Sequence, residues 1–274
     1  MLHTTQAILW LFSIILMTFF AHRIKVIDKH GAIAAILIGF IILYFGLVSW
    51  FFVLLSFFVV SSVFTKYKYK QKQKMGTSEE NGGARGWKSV LANGTAPAIF
   101  AILYYLSNNN IIFTLSFVGA ISFALSDTVA TEVGLLSKTK PRSILTGLEL
   151  DKGQSGGVTI QGEVAAITSS VLTGIICGLL LLSDNIISFQ MLIILLAAVA
   201  GGIISTNIDS ILGATIQAKY RCINCRKYLE KRVIHCNFLT VQETGIRLVD
   251  NNIVNLVSAI LGAAVSASFI IIYR

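Results

Sequence analysis

Residues 126–163 read SDTVATEVGLLSKTKPRSILTGLELDKGQSGGVTIQGE, and their setting decides the fold. One apolar run, Ile111 to Leu125, leads in, and another, Val164 to Leu182, leads out. With a few helical residues added at their ends, such runs reach the length that crosses a bilayer as a helix. The polar stretch between them holds five acids, Asp127, Glu132, Glu149, Asp151 and Glu163, and four cations, Lys138, Lys140, Arg142 and Lys152. Glycines stand at 147, 153, 156 and 157. Asp127 and Glu132 fall where the first helix meets water, a depth at which ionisable groups are costly and mark function by default. Glycine lets backbone N–H groups come close to an anion. The stretch therefore suggests a nucleotide or pyrophosphate site at a membrane surface. Asp127 and Glu132 are candidates for chemistry. Lys138, Lys140, Arg142, Lys152, Ser155, Gly156 and Gly157 are candidates for holding phosphate. The competing reading is a charged connecting loop without a ligand.

The rest of the 274-residue chain is 55% hydrophobic and 13% charged, with two prolines. Apolar runs recur along its length, which excludes a soluble domain with one large core. Eight segments are expected: about Thr5 to Ala21, Gly31 to Val48, Phe51 to Thr65, Lys88 to Leu106, Ile111 to Val133, Val164 to Leu182, Phe189 to Ser205, and Ile253 to Tyr273. The seventh is expected to continue as helix towards Gln217. The fold class is an all-α polytopic bundle, a single integral membrane domain over residues 1–274. No cleavable signal peptide is expected, because no Lys or Arg precedes the first run.

Charge sets the topology. Connectors 22–30, 65–88, 134–157 and 218–252 hold 21 of the 22 Lys and Arg. The positive-inside rule puts these four connectors in the cytoplasm and both termini outside. The net charge of +9 is then topological, and nucleic acid is not an expected partner. The basic run at 66–74, KYKYKQKQK, reads as a solvated loop able to touch anionic lipid. Trp50, in an uncharged connector, is expected at the interface. Segments two and three are large and aromatic, hence lipid-facing. Small residues at helical spacing (Gly174 and Gly178; Ala197, Gly201 and Ser205; Ser258 and Gly262) mark segments four to eight as the compact functional bundle. Oligomeric state is left open, a homo-oligomer included.

Further polar groups sit at the same helix ends. Asp127 shares a helix face with Thr131. Asn207 and Asp209 lie at the end of segment seven, in STNIDSILGATIQ. Asp250, Asn251, Asn252 and Asn255 open segment eight, and Arg85 and Asn93 open segment four, in GGARGWKSVLANG. Asp250 and Asn251 read equally well as helix caps, and Asn93 as an interhelical hydrogen-bond partner. Carboxylates facing Lys and Arg suit magnesium and a nucleoside triphosphate, because magnesium takes one or two carboxylates plus phosphate oxygens. Asp127 and Asp209 are the expected magnesium ligands. The chain contains no GxxxxGK[ST], no protein-kinase signature and no Ser-His-Asp set.

Cys222-x2-Cys225, followed ten residues later by His235-Cys236, has metal-ligand spacing. These four residues are the candidates for a structural zinc ion ordering the 218–252 loop, with free thiols as the alternative.

The series ARGWKSVLANG, SDTVATEVG, GQSGG, NIDSILGATIQ and DNNIVN resembles, over nearly the whole chain, the family called domain of unknown function 92, or transmembrane protein 19. The resemblance implies kinship with the plant phytyl-phosphate kinase of tocopherol synthesis. More distantly, Asp127, Ala130 and Gly134 match the Asp-x-x-Ala-x-x-x-Gly element of CTP-dependent prenol and dolichol kinases and phosphatidate cytidylyltransferases. Lys140, Arg142, Ser143 and Gly147 follow, but the usual Lys-Thr-x-Glu-Gly order is absent. By this resemblance Asp127 binds magnesium–CTP, the 138–157 loop holds its phosphates, and Arg85, Asn93, Asp209 and Asn255 line the pocket. The expected activity is phosphoryl transfer from a nucleoside triphosphate, CTP first, to a phytyl- or geranylgeranyl-type monophosphate lipid. The rivals are a cytidylyltransferase, a prenol kinase and, from another class, a transporter or lipid scaffold.

Overall fold

A computed structural model describes residues 4–75, 81–181, 188–225, 228–229 and 233–273. Its helices are α1 (Thr4–Arg23), α2 (Lys29–Phe45), α3 (Val48–Lys66), the short α4 (Tyr69–Lys74), α5 (Trp87–Leu106), α6 (Ile111–Leu135), α7 (Ile160–Leu181), α8 (Ser188–Thr215), α9 (Asn251–Ser268) and the single turn α10 (Ile270–Tyr273). Among the described residues, seven helices are long and apolar enough to cross a membrane, and α2 is an apolar eighth of 17 residues. The eight expected segments are therefore all present, with the last broken between α9 and α10.

Side-chain chemistry sets several helix starts. Asp28 caps α2 by accepting from the Gly31 N–H at 2.6 Å, and Asn110 caps α6 by accepting from the Ile112 N–H at 3.0 Å. Asp250 caps α9, its Oδ1 accepting from Asn252 and Ile253.

Helix α6 is the hub. It packs against α3, α5, α7, α8 and α9, and is buried without a break from Thr114 to Ser126. Small residues permit this. A Cβ on Gly119 would strike the Gly262 carbonyl and Ser266, and one on Gly262 would lie 2.7 Å from Ser205 Oγ. Hydroxyls then tie the backbones together. Ser122 donates to the Ala198 carbonyl at 2.6 Å, Ser266 to the Ala197 carbonyl at 2.7 Å, and Ser126 meets Ser170 at 2.7 Å. In lipid these contacts replace the hydrophobic drive that water would give a soluble bundle.

The compact bundle is wider than the sequence suggests. Trp50 does not face outwards: it is fully buried, stacked on Phe117 with ring centroids 4.3 Å apart. Helix α3 therefore belongs to the core against α6 and α7, and α2 packs closely on α5. Among the described helices α1 is the most peripheral, with Ile14 its one buried residue. Phe57 and Val53 of α3 are buried because α6 offers them a continuous apolar wall.

The long connectors gather at one end of the bundle. Ile27 bridges to Arg85, Lys66 Nζ donates to the Ile24 carbonyl at 2.7 Å, and Gly156 presses on Ala214 of α8. All strands lie in these connectors. β1 (Arg142–Ser143) pairs with β2 (Gly157–Val158) in the α6–α7 connector. The α8–α9 connector carries β3 (Lys219–Arg221), β4 (Tyr228–Leu229), β5 (Ile234–His235), β6 (Phe238–Leu239) and β7 (Val241–Thr244).

Candidate functional site

Helical register brings several of the expected residues into one layer. Phe123 of α6, Ala96 of α5 and Ala259 of α9 pack in one buried cluster. One turn towards the connector end, the same faces carry Asp127, Asn93 and Asn255, because residues three or four apart share a face. Helix α8 enters the layer from its own contact. Ser205 opposes Gly262 of α9, so one turn further Asp209 falls beside Ser258, which neighbours Asn255.

This layer has unmet hydrogen-bonding capacity. Asn93 Oδ1, Asn255 Oδ1 and Ser258 Oγ are buried and have no hydrogen-bond partner, as is Thr206 Oγ1 on the adjoining face of α8. Asn93 Nδ2 donates to the Ser89 carbonyl at 2.9 Å, which fixes the amide with its oxygen turned away from that bond. Pro97 adds a further acceptor. Lacking an N–H, it cannot bond the Asn93 carbonyl four residues back, so that carbonyl loses its usual helical donor. A buried polar atom without a partner costs about 1–3 kcal/mol, and several together call for an explanation. All four side-chain atoms are oxygens, in a layer with two carboxylates. Such an oxygen set suits a hard cation, so the residues present fit magnesium.

Other expected residues have different surroundings. Glu132 is not in the Asp127 layer. It accepts from Lys72 Nζ at 2.5 Å in a buried ion pair, with the side chains 10% and 1% exposed. Lys72 also donates to the Phe64 and Thr65 carbonyls at 3.0 and 2.8 Å, closing the last turn of α3. The basic run is thus not uniformly solvated, because one of its five lysines is drawn inside. Arg85 is buried under the Phe57 ring, 5.6 Å from its centroid, and its backbone bonds to Val26 and Asp28. Asp250 caps α9, and Asn251 is exposed on the first turn. Asn207 Nδ2 donates to Glu163 of α7 at 3.3 Å.

The α6–α7 connector folds into a small lobe. Lys138, Lys140 and Arg142 are exposed, and Lys140 lies 3.8 Å from Glu149. Lys152 donates to the Ser137 carbonyl. Gly156 has φ +82, and an added Cβ would lie 2.5 Å from the Ala214 Cβ, so this glycine is required by the lobe's docking on α8. Ser155 also faces that contact, 3.5 Å from a Cβ built on Gly213, and Gly157 pairs with Ser143 in the β1–β2 hairpin.

An apolar cavity of about 420 Å³ lies between α3, α6 and α7, lined by Val60, Phe64, Val129, Val133, Val164 and Leu172 among others. Val129 and Val133 project from the side of α6 opposite Asp127, so this cavity is separate from the polar layer. Beyond α8, Cys222, Cys225 and Cys236 converge, their sulfurs all within 4.8 Å of one another. The side chain of His235, the expected fourth member, lies outside the described residues.

The sequence marks Ser258 only as a small packing residue and does not single out Thr206 or the effect of Pro97. Pro97, one of only two prolines and the only one inside a described helix, was the available signal.

Comparison with known proteins agrees with this architecture. The model of the family described as integral membrane protein DUF92 matches residues 12–263. An uncharacterized membrane protein of Methanocaldococcus jannaschii is 34% identical over 220 residues, 79% of this chain and 87% of the relative. Protein PGR of Arabidopsis thaliana is 33% identical over 268 residues, 90% of each chain. Protein VTE6, chloroplastic, of the same plant is 28% identical over 124 residues, 44% of this chain and 37% of that protein. No solved structure matches. On the family match and the length of these alignments, the chain belongs to the DUF92 family of integral membrane proteins.

Proposed function

We propose that the protein is a magnesium-dependent lipid phosphotransferase. It moves the terminal phosphoryl group of a nucleoside triphosphate, CTP by the resemblance to CTP-dependent prenol kinases, onto an isoprenoid monophosphate of the phytyl or geranylgeranyl class. The observation that carries this reading is the buried, unpartnered oxygen set of Asn93, Asn255 and Ser258 in the Asp127 layer. The family resemblance to the plant phytyl-phosphate kinase supports the same reaction class.

Asp127 and Asp209 are the residues that would hold the magnesium ion, which when bound neutralises phosphate charge. Asn93 and Asn255 would offer their unpartnered amide oxygens to that ion or to water bound on it. An oxygen of the acceptor monophosphate bonds to the terminal phosphorus, and the bond to the bridging oxygen breaks. The nucleoside diphosphate leaves, and the lipid diphosphate is the product. The acceptor is already ionised, so the step needs no strong base, consistent with a layer that contains no histidine. Lys138, Lys140 and Arg142 contribute positive charge at this end, which by the positive-inside rule faces the cytoplasm. The acceptor's chain stays in the bilayer while its head enters from the membrane surface.

The test is purified protein in lipid nanodiscs with magnesium, CTP or ATP, and a panel of prenols and prenyl phosphates. The expected products are prenyl diphosphate and nucleoside diphosphate, formed only with the metal. Pyrophosphate release with a CMP-lipid would identify a cytidylyltransferase. Prenyl monophosphate made from the alcohol would identify a prenol kinase. Lipid binding with no nucleotide turnover would return the protein to the transporter class.

A further inference from the structure

Among the described residues, the α8–α9 connector has secondary structure but contributes nothing to the hydrophobic core clusters of the bundle. Its strands are two to four residues long, in one sheet ordered β4-β3-β7 and a separate β5-β6 hairpin. Isolated pairs this short are not stable in water. The apolar side chains that could have covered them face outwards: Ile223 is 65% exposed, Phe238 53% and Val241 54%. Small lobes of this kind are ordered by a disulfide or a metal instead.

Both hairpins aim cysteines at one point. Cys222 directly follows β3, and Cys225 ends the described turn that leads towards β4. Cys236 and Asn237 are the two-residue turn between β5 and β6, with φ +51 and +67. Positive φ at both positions marks the type I′ turn, which is unfavourable for a cysteine and persists where the turn is held from outside. None of the three is in a disulfide, and their sulfurs fall within 4.8 Å of one another. Tetrahedral zinc with sulfur at about 2.3 Å has sulfurs about 3.8 Å apart, so a small inward movement would close the set.

We propose that Cys222, Cys225 and Cys236 bind zinc as thiolates, and that this ion is the missing core of the connector lobe. The ion acts structurally. The base of the lobe ties the two helices it joins: Ile246 N–H donates to the Ile216 carbonyl at 2.8 Å and Ala218 N–H to the Val249 carbonyl at 2.9 Å. Gly245 lies so close to the Gln217 carbonyl that no side chain fits between them. The metal thereby fixes the exit of α8 relative to the cap of α9, the helices that carry Asp209 and Asn255. Zinc binding would displace the thiol protons, as it does for coordinating thiols generally.

The test is elemental analysis of the full-length purified protein, with X-ray absorption at the metal edge and limited proteolysis of the lobe. The expected result is about one zinc per chain with at least three sulfur neighbours at about 2.3 Å. Zinc should fall to background in Cys225→Ser and be unchanged in Cys177→Ser, whose thiol is buried inside α7. Chelation of the wild-type protein should speed cleavage within residues 218–249 by about tenfold or more, and added zinc should restore resistance. That arm needs no variant to fold and no activity to be assayed. Protein prepared with zinc that carries none overturns the proposal, as does a disulfide among these cysteines. Zinc retained when all three are serine, iron in place of zinc, or proteolysis indifferent to chelation would overturn it as well.

Discussion

Lys72 and Glu132 form an ion pair almost out of reach of water, and the surrounding carbonyls of Phe64 and Thr65 complete the ammonium's hydrogen bonds. Removing one partner of such a pair leaves a buried charge, so Lys72→Met or Glu132→Gln should each cost about 3–5 kcal/mol of stability. The double variant Lys72→Met/Glu132→Leu should recover most of that loss, because no charge is then stranded. Thermal unfolding of the three proteins in one detergent checks this, and equal losses in single and double variants would contradict it. The sequence marks Glu132 as unusual by its depth but hides its partner. KYKYKQKQK offers five similar lysines, and only the docking of α4 under α3 selects the fourth. Asp250 shows the reverse case, where a capping role was legible as one of two readings. Its replacement by alanine should cost about 1 kcal/mol and leave chemistry intact, which parallel melting and turnover measurements would show.

At the scale of elements, the helices were legible because their apolar runs are long, and α2, α6 and α9 also start on a capping Asp or Asn. The connectors were not, because strands of two residues have no period to read. In the Gly-rich connector, Gly156 packs directly against Ala214, a contact the sequence does not reveal. Gly156→Ala meets both a left-handed backbone and a steric contact, so it should unseat the β1–β2 lobe from α8. The expected signature is faster proteolysis near residues 144–155 with the bundle's melting temperature little changed; unchanged proteolysis would mean the lobe is not held there. Pro97 matters at this scale too. It removes the usual donor to the Asn93 carbonyl, in the layer where acceptors collect. Asn93 and Asn255 were visible as polar residues in apolar helices, but their common level follows only from the Phe123, Ala96 and Ala259 packing.

At the scale of the molecule, the expected compact bundle of segments four to eight was too narrow, because stacked Trp50 and Phe117 bring α3 into the core. Aromatic content alone does not separate a lipid-facing helix from one that fills a gap beside a hub rich in small residues. The grouping of long connectors at one end also carries a topological prediction. In sealed inside-out vesicles, a protease site inserted at exposed Thr146 should be cut from outside, and one at exposed Asn109 should be protected. The opposite pattern would invert the orientation. The central claim is that the layer of Asp127, Asp209, Asn93 and Asn255 grips a metal-bound triphosphate. It is tested most directly by magnesium-dependent transfer of labelled γ-phosphate to prenyl monophosphate in wild-type and Asp127→Asn protein. The account predicts a loss of about 10²–10³-fold or more in the variant, with an unchanged melting profile. Wild-type turnover in Asp127→Asn would contradict it.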